Sequence, residues 1–170
     1  MRFSGPANRI VIPVQITNDS GTSKVYPALV DTGATHTFVS AELVQEMSLQ
    51  SVGLTESSTA AGKVSDVPVF VIEELSMCDG RVKFPKLRVI QANLTDQPDF
   101  EVIVGMDILT QGDFALTNKG GKTVASFRIP SVHEFDFIGE VENWNRFEEE
   151  KAKRAINRAA NPRKSKKGRR

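Results

Sequence analysis

The sequence predicts a mainly β fold over residues 1–130, with one early helix and a separate C-terminal extension. Short stretches of alternating apolar and polar residues recur there, and clusters of Gly, Pro, Asn and Asp separate them. The chain has 170 residues, 39% of them hydrophobic and 25% charged, which suits one globular domain plus an appendage. Beyond Pro130 the pattern becomes helical and ends in a basic run. We therefore predict a domain at 1–130, a linker and helix at 131–160, and a disordered basic tail at 161–170.

The first two strands are predicted to form a hairpin. Apolar residues occupy alternate positions over residues 10–16, and residues 18–21 read NDSG, a sequence typical of a tight turn. A return strand is expected over residues 24–31. A short strand follows at 37–39, after which Ser40 is expected to cap a helix over 41–47.

The remaining elements follow from the same alternation. Strands are predicted near residues 54–61, 64–75, 81–91 and 100–104, a short helix over 106–111, and a final strand pair near 114–118 and 124–129. In the extension, apolar residues lie at helical spacing along a narrow stripe, which indicates a docking or partner helix. The members of this stripe are Trp144, Phe147, Ala152, Ala155, Ile156 and Ala159.

Charge is distributed unevenly along the chain. Residues 151–170 contain ten of the 22 Lys and Arg residues and no acid, so the first 150 residues hold 12 basic and 21 acidic residues, a net charge of 12 − 21 = −9. A basic tail can bind phosphates without sequence preference. It lacks the interleaved aromatic residues of single-strand binders. The tail therefore predicts weak contact with nucleic acid or with an acidic partner. The first 150 residues of the same chain, which are acidic, are one such partner.

Other classes of protein are disfavoured by composition. Cys78 is the only cysteine, so an intrachain disulfide is impossible, and Cys78 with His36 and His133 does not make a zinc site. No long apolar run suggests a membrane span, and the first residues lack the apolar stretch of a secretory signal. We expect a cytoplasmic protein that binds no metal.

One carboxylate stands out at the end of a predicted strand. Residues 28–35 read ALVDTGAT, an apolar strand that delivers Asp31 into a tight Thr-Gly turn. Such a turn can supply backbone N–H groups to the carboxylate, and Gly33 permits the close approach of another backbone. Thr32 offers a hydroxyl that can bond across a symmetric interface. This arrangement is what hydrolysis by paired carboxylates requires.

A second segment strengthens this interpretation. Residues 102–109 read VIVGMDIL, two apolar residues before a glycine and then a predicted helix. With both elements in this order, the chain resembles retropepsin-like aspartic proteases, in which a later apolar-apolar-Gly segment passes through the catalytic loop. Residues 29–40, LVDTGATHTFVS, are especially similar to proteases of gypsy-type retrotransposons and their free-standing cellular and bacterial relatives. The resemblance covers about residues 9–129.

The resemblance implies a closed, single-lobed β-barrel with a hairpin flap that closes over an extended polypeptide substrate. It assigns catalytic roles to Asp31, Thr32 and Gly33. It assigns substrate binding to the residues after them and to the flap tip, namely Ala34, Thr35, His36, Ala60, Ala61, Gly62 and Lys63. Retroviral enzymes usually carry acidic residues shortly after the Asp-Thr-Gly-Ala run, whereas this chain has Thr35 and His36. His36 therefore has two interpretations, as a residue lining the cleft or as one holding the loop.

The mechanism of this family needs two carboxylates that share one proton, and the chain supplies one. Asp19, in an Asp-Ser-Gly sequence, is rejected because it follows polar Asn18 and lies in the predicted turn. Asp107 is expected to cap a helix or face solvent. Two chains must therefore each donate Asp31 across a twofold axis. The resemblance implies that strands from the chain ends hold this homodimer together, and it implies no cofactor.

Two other functions remain open. The first is a retropepsin-fold module that dimerises or binds peptides without cutting them, although the intact residues 31–33 argue against it. The second is a nucleic-acid-associated protein that uses the basic tail. No G-x-S-x-G elbow, phosphate loop or cysteine zinc knuckle suggests a further chemistry.

Overall fold

The structure is a computed structural model that describes residues 1–59 and 62–160. The chain divides into two compact units, Met1–Val132 and the residues from His133 onward. The strands of the first unit are β1 Val11–Thr17, β2 Ser23–Val30, β3 Phe38–Ser40, β4 Ser51–Thr59, β5 Gly62–Met77, β6 Val82–Ala92, β7 Val102–Val104, β8 Asp113–Thr117 and β9 Val124–Arg128. The helices are α1 Ala41–Glu46 and α2 Met106–Leu109 in the first unit and α3 Phe137–Ala160 in the second.

Six strands close into a barrel in the order β1-β2-β7-β3-β6-β5, with β5 pairing back onto β1. Closure removes the exposed sheet edges, and β4 extends the sheet beyond β5. The inward-facing side chains form one core, in which Ile16, Ile72 and Leu75 are fully buried. The predicted mainly β, closed-barrel fold with a C-terminal helix is confirmed.

The β1–β2 hairpin forms where the NDSG sequence predicted it. Gly21 has φ +81°, a left-handed conformation that glycine adopts without steric cost. The buried Asn18 side chain accepts a hydrogen bond from Thr22 N at 2.9 Å and donates one to Met47 O at 2.8 Å. The turn is therefore tied to the end of α1 as well as closed on itself.

Helix α1 begins as the sequence predicted. The Ser40 side chain accepts a hydrogen bond from Leu43 N at 3.0 Å, which satisfies a free donor of the first turn. Leu43 and Met47 are buried, and Val44 packs against the same core while remaining partly exposed. Helix α2 is shorter than the predicted 106–111, because it ends at Leu109.

Strand β5 is longer than the predicted 64–75 and belongs to two different pairings. Its first part pairs with β4, with Thr59 opposite Gly62, to form a hairpin that leaves the barrel. Its second part pairs with β6 on one side and with β1 on the other. Strand β5 therefore joins the hairpin to the barrel wall, although its pairing with β4 is irregular near Asp66, which has φ +59°.

The β8–β9 hairpin receives the start of the chain. Met1 N donates to Ala125 O at 2.6 Å, and Phe3 N donates to Thr123 O at 2.9 Å, so the first residues run antiparallel to β9. Among the described residues, β8 has β9 as its only strand neighbour. Its other edge therefore remains available to a strand of another molecule.

Helix α3 is the main element of the second unit. It spans 24 residues, confirming the helix predicted in the extension. Within residues 1–59 and 62–160, no helix combines the length and apolar composition needed to cross a membrane. The predicted basic tail, 161–170, lies outside the described residues.

Tyr26 joins β2 to the end of α1. It is 4% exposed, and its hydroxyl donates a hydrogen bond to Glu46 Oε2 at 2.7 Å. Lys24 Nζ lies 2.6 Å from the other oxygen, Glu46 Oε1. Burial, together with the hydrogen bond to Glu46 and the charges of Glu46 and Glu101, raises the pKa of the Tyr26 hydroxyl well above its usual range.

We predict that Tyr26 does not ionise near pH 10 in the folded protein. Tyr26 is the only tyrosine, so the ultraviolet absorbance of tyrosinate reports on it alone. In denaturant the absorbance should rise near pH ~10, whereas in the native protein it should rise at clearly higher pH. Because the folded pKa is the higher one, this stability contribution is complete below pH ~10 and is lost as pH rises through the folded pKa. A native titration superimposed on the denatured one would contradict the proposed burial.

Candidate active site

Asp31 is placed by the pairing of β2 with β7. These strands run parallel, with Val30 opposite Val104, and Asp31 N donates a hydrogen bond to Val104 O at 3.0 Å. Strand β7 also pairs with β3, so it lies between the two strands that flank residues 31–37. We call these residues the Asp31 loop. The loop therefore crosses the end of the strand that holds it.

The Asp31 carboxylate is fixed at one oxygen. Gly33 N donates to Asp31 Oδ1 at 2.8 Å, and a Cβ added at Gly33 would lie 3.2 Å from that oxygen. Among the described residues, Oδ2 has no hydrogen-bond donor. Asp31 is half-buried, while Thr32 and Gly33 are exposed. The loop presents a partly open carboxylate beside an exposed stretch of backbone.

The rest of the loop is held by the start of α2. Met106 N donates to Ala34 O at 2.8 Å, and Asp107 N donates to Thr35 O at 3.2 Å. These N–H groups would otherwise lack partners in the first turn of a helix. Gly105 makes the approach possible, because a Cβ there would lie 2.9 Å from Ala34 O and closer still to His36 O. The apolar-apolar-Gly segment therefore supports the loop from behind.

Asp107 has a role that the sequence did not indicate. Its carboxylate oxygens accept hydrogen bonds from Thr37 N at 2.9 Å and from Thr37 Oγ1 at 2.8 Å. Thr37 is fully buried and ends the Asp31 loop. Asp107 also accepts a hydrogen bond from Ile108 N in the first turn of α2 at 3.0 Å, so the expected role at the helix start is found together with this bond to the loop. Its position two residues after Gly105 was the one available sequence clue, and its partner lies 70 residues away.

The predicted substrate-binding residues fall on two separate parts of the fold. Thr35 and His36 are exposed in the Asp31 loop beside Ala34. Gly62 and Lys63 are exposed at the outer end of the β4–β5 hairpin. The remaining two, Ala60 and Ala61, lie outside the described residues. Strand β1 separates β2, which ends one residue before Asp31, from β5, which carries Gly62 and Lys63.

Asp19 cannot complete a carboxylate pair within one chain. It is exposed in the turn that joins β1 to β2, whereas Asp31 follows the last residue of β2, at the opposite end of that strand. A strand of this length separates its ends by roughly 25 Å. No group of three or more metal-binding side chains occurs among the described residues. Asp19 therefore does not supply a second carboxylate beside Asp31.

A cavity of about 580 Å³ lies between the barrel and the β8–β9 hairpin. Its walls are mainly apolar and include Ile12, Val30, Leu109, Phe114 and Phe127. Val30 precedes Asp31, but Asp31 itself is not part of the wall. This cavity therefore does not provide a cleft over the carboxylate.

Comparison of the sequence with models of known protein families finds one matching family. The model of the aspartyl protease family matches residues 12–108, which include the Asp31 loop and Gly105. No curated protein matches the chain at a significant level.

Several solved structures are similar to this chain. A retropepsin-like aspartic protease from Rickettsia conorii is 14% identical, with a TM-score of 0.47 over 74% of this chain and 88% of that one. The EIAV protease complexed with the inhibitor HBY-793 is 21% identical, with a TM-score of 0.44 over 62% and 91%. The retroviral protease-like domain of Ddi1 from Leishmania major is 14% identical, with a TM-score of 0.44 over 72% and 96%.

We predict that Gly105→Ala destabilises the barrel, because the new methyl group would meet the carbonyls of the Asp31 loop. Its free energy of unfolding should fall by about 3 kcal/mol or more. Gly53→Ala is the matched control, since a Cβ there has nothing within 4 Å, and its effect should stay within about 1 kcal/mol. Denaturant titration measures both. Equal effects of the two substitutions would show that the approach at Gly105 is not tight.

The Asp107–Thr37 contact yields a second stability prediction. Asp107→Ala leaves the buried N–H and hydroxyl of Thr37 without their acceptor, which should cost about 1–3 kcal/mol of unfolding free energy. Asp107→Asn retains one acceptor oxygen and should cost less. Asp99→Ala removes an exposed carboxylate that lies 4.0 Å from Arg9 and should change stability by less than about 1 kcal/mol. Thr37→Val combined with Asp107→Ala should cost less than the two single effects added together.

Proposed function

Since the chain belongs to the aspartyl protease family, we propose that it is an endopeptidase whose two catalytic carboxylates are Asp31 of each of two identical chains. One observation carries the proposal. The Asp31 carboxylate is fixed at one oxygen by Gly33 N and stands beside exposed backbone, and its other oxygen has no hydrogen-bond donor among the described residues. A twofold axis near this loop would supply the missing group.

The chemistry follows from placing two such carboxylates side by side. Like charges a few ångströms apart do not both ionise, so the pair keeps one proton. The ionised Asp31 takes a proton from a water molecule, whose oxygen attacks the carbonyl carbon of the peptide bond. The protonated Asp31 hydrogen-bonds to the carbonyl oxygen and stabilises the tetrahedral intermediate. The C–N bond then breaks, the amine leaves with a proton from the dyad, and no covalent bond to the enzyme forms.

Two exposed segments are suited to hold a peptide near the dyad. The first is the end of the Asp31 loop, with Ala34, Thr35 and His36, and the second is the tip of the β4–β5 hairpin, which includes Gly62 and Lys63. An extended peptide can add to such a hairpin through backbone hydrogen bonds.

The β8–β9 hairpin is the proposed contact between the two chains. The free edge of β8 can pair with a strand of another chain, and the first residues already pair with β9 on the other side. We propose no nucleic-acid function, because the basic tail lies outside the described residues and the described part contains no feature that favours one.

We predict that Asp31→Asn abolishes cleavage of apolar peptide sites between pH 4 and 7. Loss of the ionisable group removes both the base and the shared proton, so turnover should fall by at least about a thousandfold. Asp19→Asn is the matched control, since it changes the other Asp-x-Gly sequence in an exposed turn, and it should retain full activity. Wild-type cleavage should also be blocked by a hydroxyl-bearing transition-state mimic such as pepstatin.

Mixing the chains tests the shared dyad directly. Excess Asp31→Asn chains should suppress wild-type activity, because each mixed dimer holds one aspartate, whereas excess Asp19→Asn chains should not. Full activity of an isolated monomer would refute the proposal. Peptide binding without turnover, at an affinity that Asp31→Ala leaves unchanged, would identify a non-cutting module instead.

A further inference from the structure

Helix α3 carries large apolar side chains that stay exposed to solvent, although Phe137 stacks on Phe135 with ring centroids 6.2 Å apart and Trp144 contacts Phe147 at 6.1 Å. Six such residues are exposed, with Trp144 63% and Ile138 76% exposed to solvent. The full set is Phe137, Ile138, Val141, Trp144, Phe147 and Ile156. A helix that remains alone in water gains nothing from such a stripe, and an apolar surface of this kind usually marks an interaction site.

Three of these exposed residues, Phe137, Val141 and Trp144, follow the spacing of a coiled coil. Alternating steps of four and three residues run from Phe137 through Trp144 to Ala155, the a and d positions of a heptad. This series, which we call the seam, includes two charged residues near its middle, Glu148 and Lys151. The seam in order is Phe137, Val141, Trp144, Glu148, Lys151 and Ala155.

Both the size of the seam side chains and the sign of the charge change along the helix. Residues 137–150 contain five glutamates and one arginine, whereas residues 151–157 contain two lysines, one arginine and no acid. The large apolar side chains of the seam lie in the first segment, and the small Ala155 lies in the second. The pairs Glu148–Lys151 and Glu150–Arg154, each at 3.4 Å, lie at the junction. Acid at the N-terminal half and base at the C-terminal half would also stabilise a lone helix, but that does not account for the apolar stripe.

We propose that α3 pairs antiparallel with α3 of a second copy of this chain, with Trp144 facing Ala155 and Glu148 facing Lys151 of that copy. In an antiparallel pair each a position meets a d position, so the four central layers join large to small and acid to base. A parallel pair would stack Trp144 on itself and place Glu148 on Glu148, burying like charges. The segregated charges outside the seam favour the antiparallel pair in the same way.

This inference rests on the proposed function, because its role is to bring two barrels together. Linking the chains through α3 raises the effective concentration of one barrel near the other. The Asp31 loops would then meet at chain concentrations too low for the barrels to associate by themselves. The helix is thus a dimerisation element outside the family-matched residues 12–108.

Charge exchange at the central layers tests the pairing. The full chain carrying Asp31→Asn, which prevents self-digestion, is measured by sedimentation equilibrium. Glu148→Lys alone and Lys151→Glu alone should each weaken dimerisation at least about tenfold, since each places like charges in the same layer. An equal mixture of the two variants should associate as the parent does, and so should the double exchange. Glu149→Lys, an equal change of charge outside the seam, is the control and should change the dissociation constant by less than about threefold.

Spin labels in a Cys78→Ser background give the orientation. Labels at Asn143, Glu150 and Asn157 should show the shortest distance between copies at Glu150 and axial separations of about 20 Å at the other two positions. Similar distances at all three positions would indicate a parallel pair and overturn the proposal.

The possible failures are distinguishable. If both single exchanges associate as the parent does, or the mixture fails to recover, the α3 pairing is refuted while the Asp31 dyad stands. If the exchanges instead lower the thermal stability of a monomer, α3 packs elsewhere and the proposal is likewise refuted. Far-UV circular dichroism of each variant confirms that the helix is retained. Failure of the proposed function appears in a different assay, as cleavage by wild-type chains that remain monomeric.

Discussion

The close approach of Gly105 to the Asp31 loop is the contact on which the rest of the site depends. The loop leaves β2, crosses the end of β7 and enters β3, so its own ends are paired to the strand it crosses. A backbone segment can pass behind such a loop only where it has no side chain, and Gly105 meets that condition. The first turn of α2 then donates two N–H groups to loop carbonyls. Backbone groups of α2 therefore hold the loop on one side, and the loop tip at Thr32 and Gly33 stays exposed.

This arrangement separates what must be rigid from what must be accessible. Thr37, at the base of the loop, is fully buried and held by Asp107, while Thr32 and Gly33, at its tip, are exposed. Pre-organised groups cost little reorganisation when charge develops on a substrate. A carboxylate held through one oxygen by Gly33 N keeps its orientation, while its other oxygen has no hydrogen-bond donor among the described residues.

Sequence reasoning succeeded where the cause is local. The glycine turn at Gly21 and the Ser40 cap depend on the conformational preferences of a few neighbouring residues, and the period of apolar residues sets the strands and α3. The family resemblance, carried by two short motifs, is confirmed by the family match. Contacts between distant residues escaped prediction. Asp107 binds Thr37 across 70 positions, Tyr26 binds Glu46 across 20, and β5 divides its length between β4 and the barrel, and none of these has a periodic or compositional trace.

The proposed dimer places different physical requirements on the two units of the chain. A dyad that shares one proton needs its carboxylates within a few ångströms, and the groups that bring them together must not crowd the surface where the peptide binds. In the first unit the same loop carries the carboxylate and the exposed tip, so any increase in contact area there would compete with substrate access. In the proposed α3 pair the seam lies in a different part of the sequence from the Asp31 loop, so its contribution to association could increase without altering the residues around Asp31. In the proposed dimer, affinity between the chains and reactivity at the dyad could thus be adjusted independently, because association through α3 would act on the concentration of one barrel near another and would leave the geometry of the loop to Gly105 and Asp107.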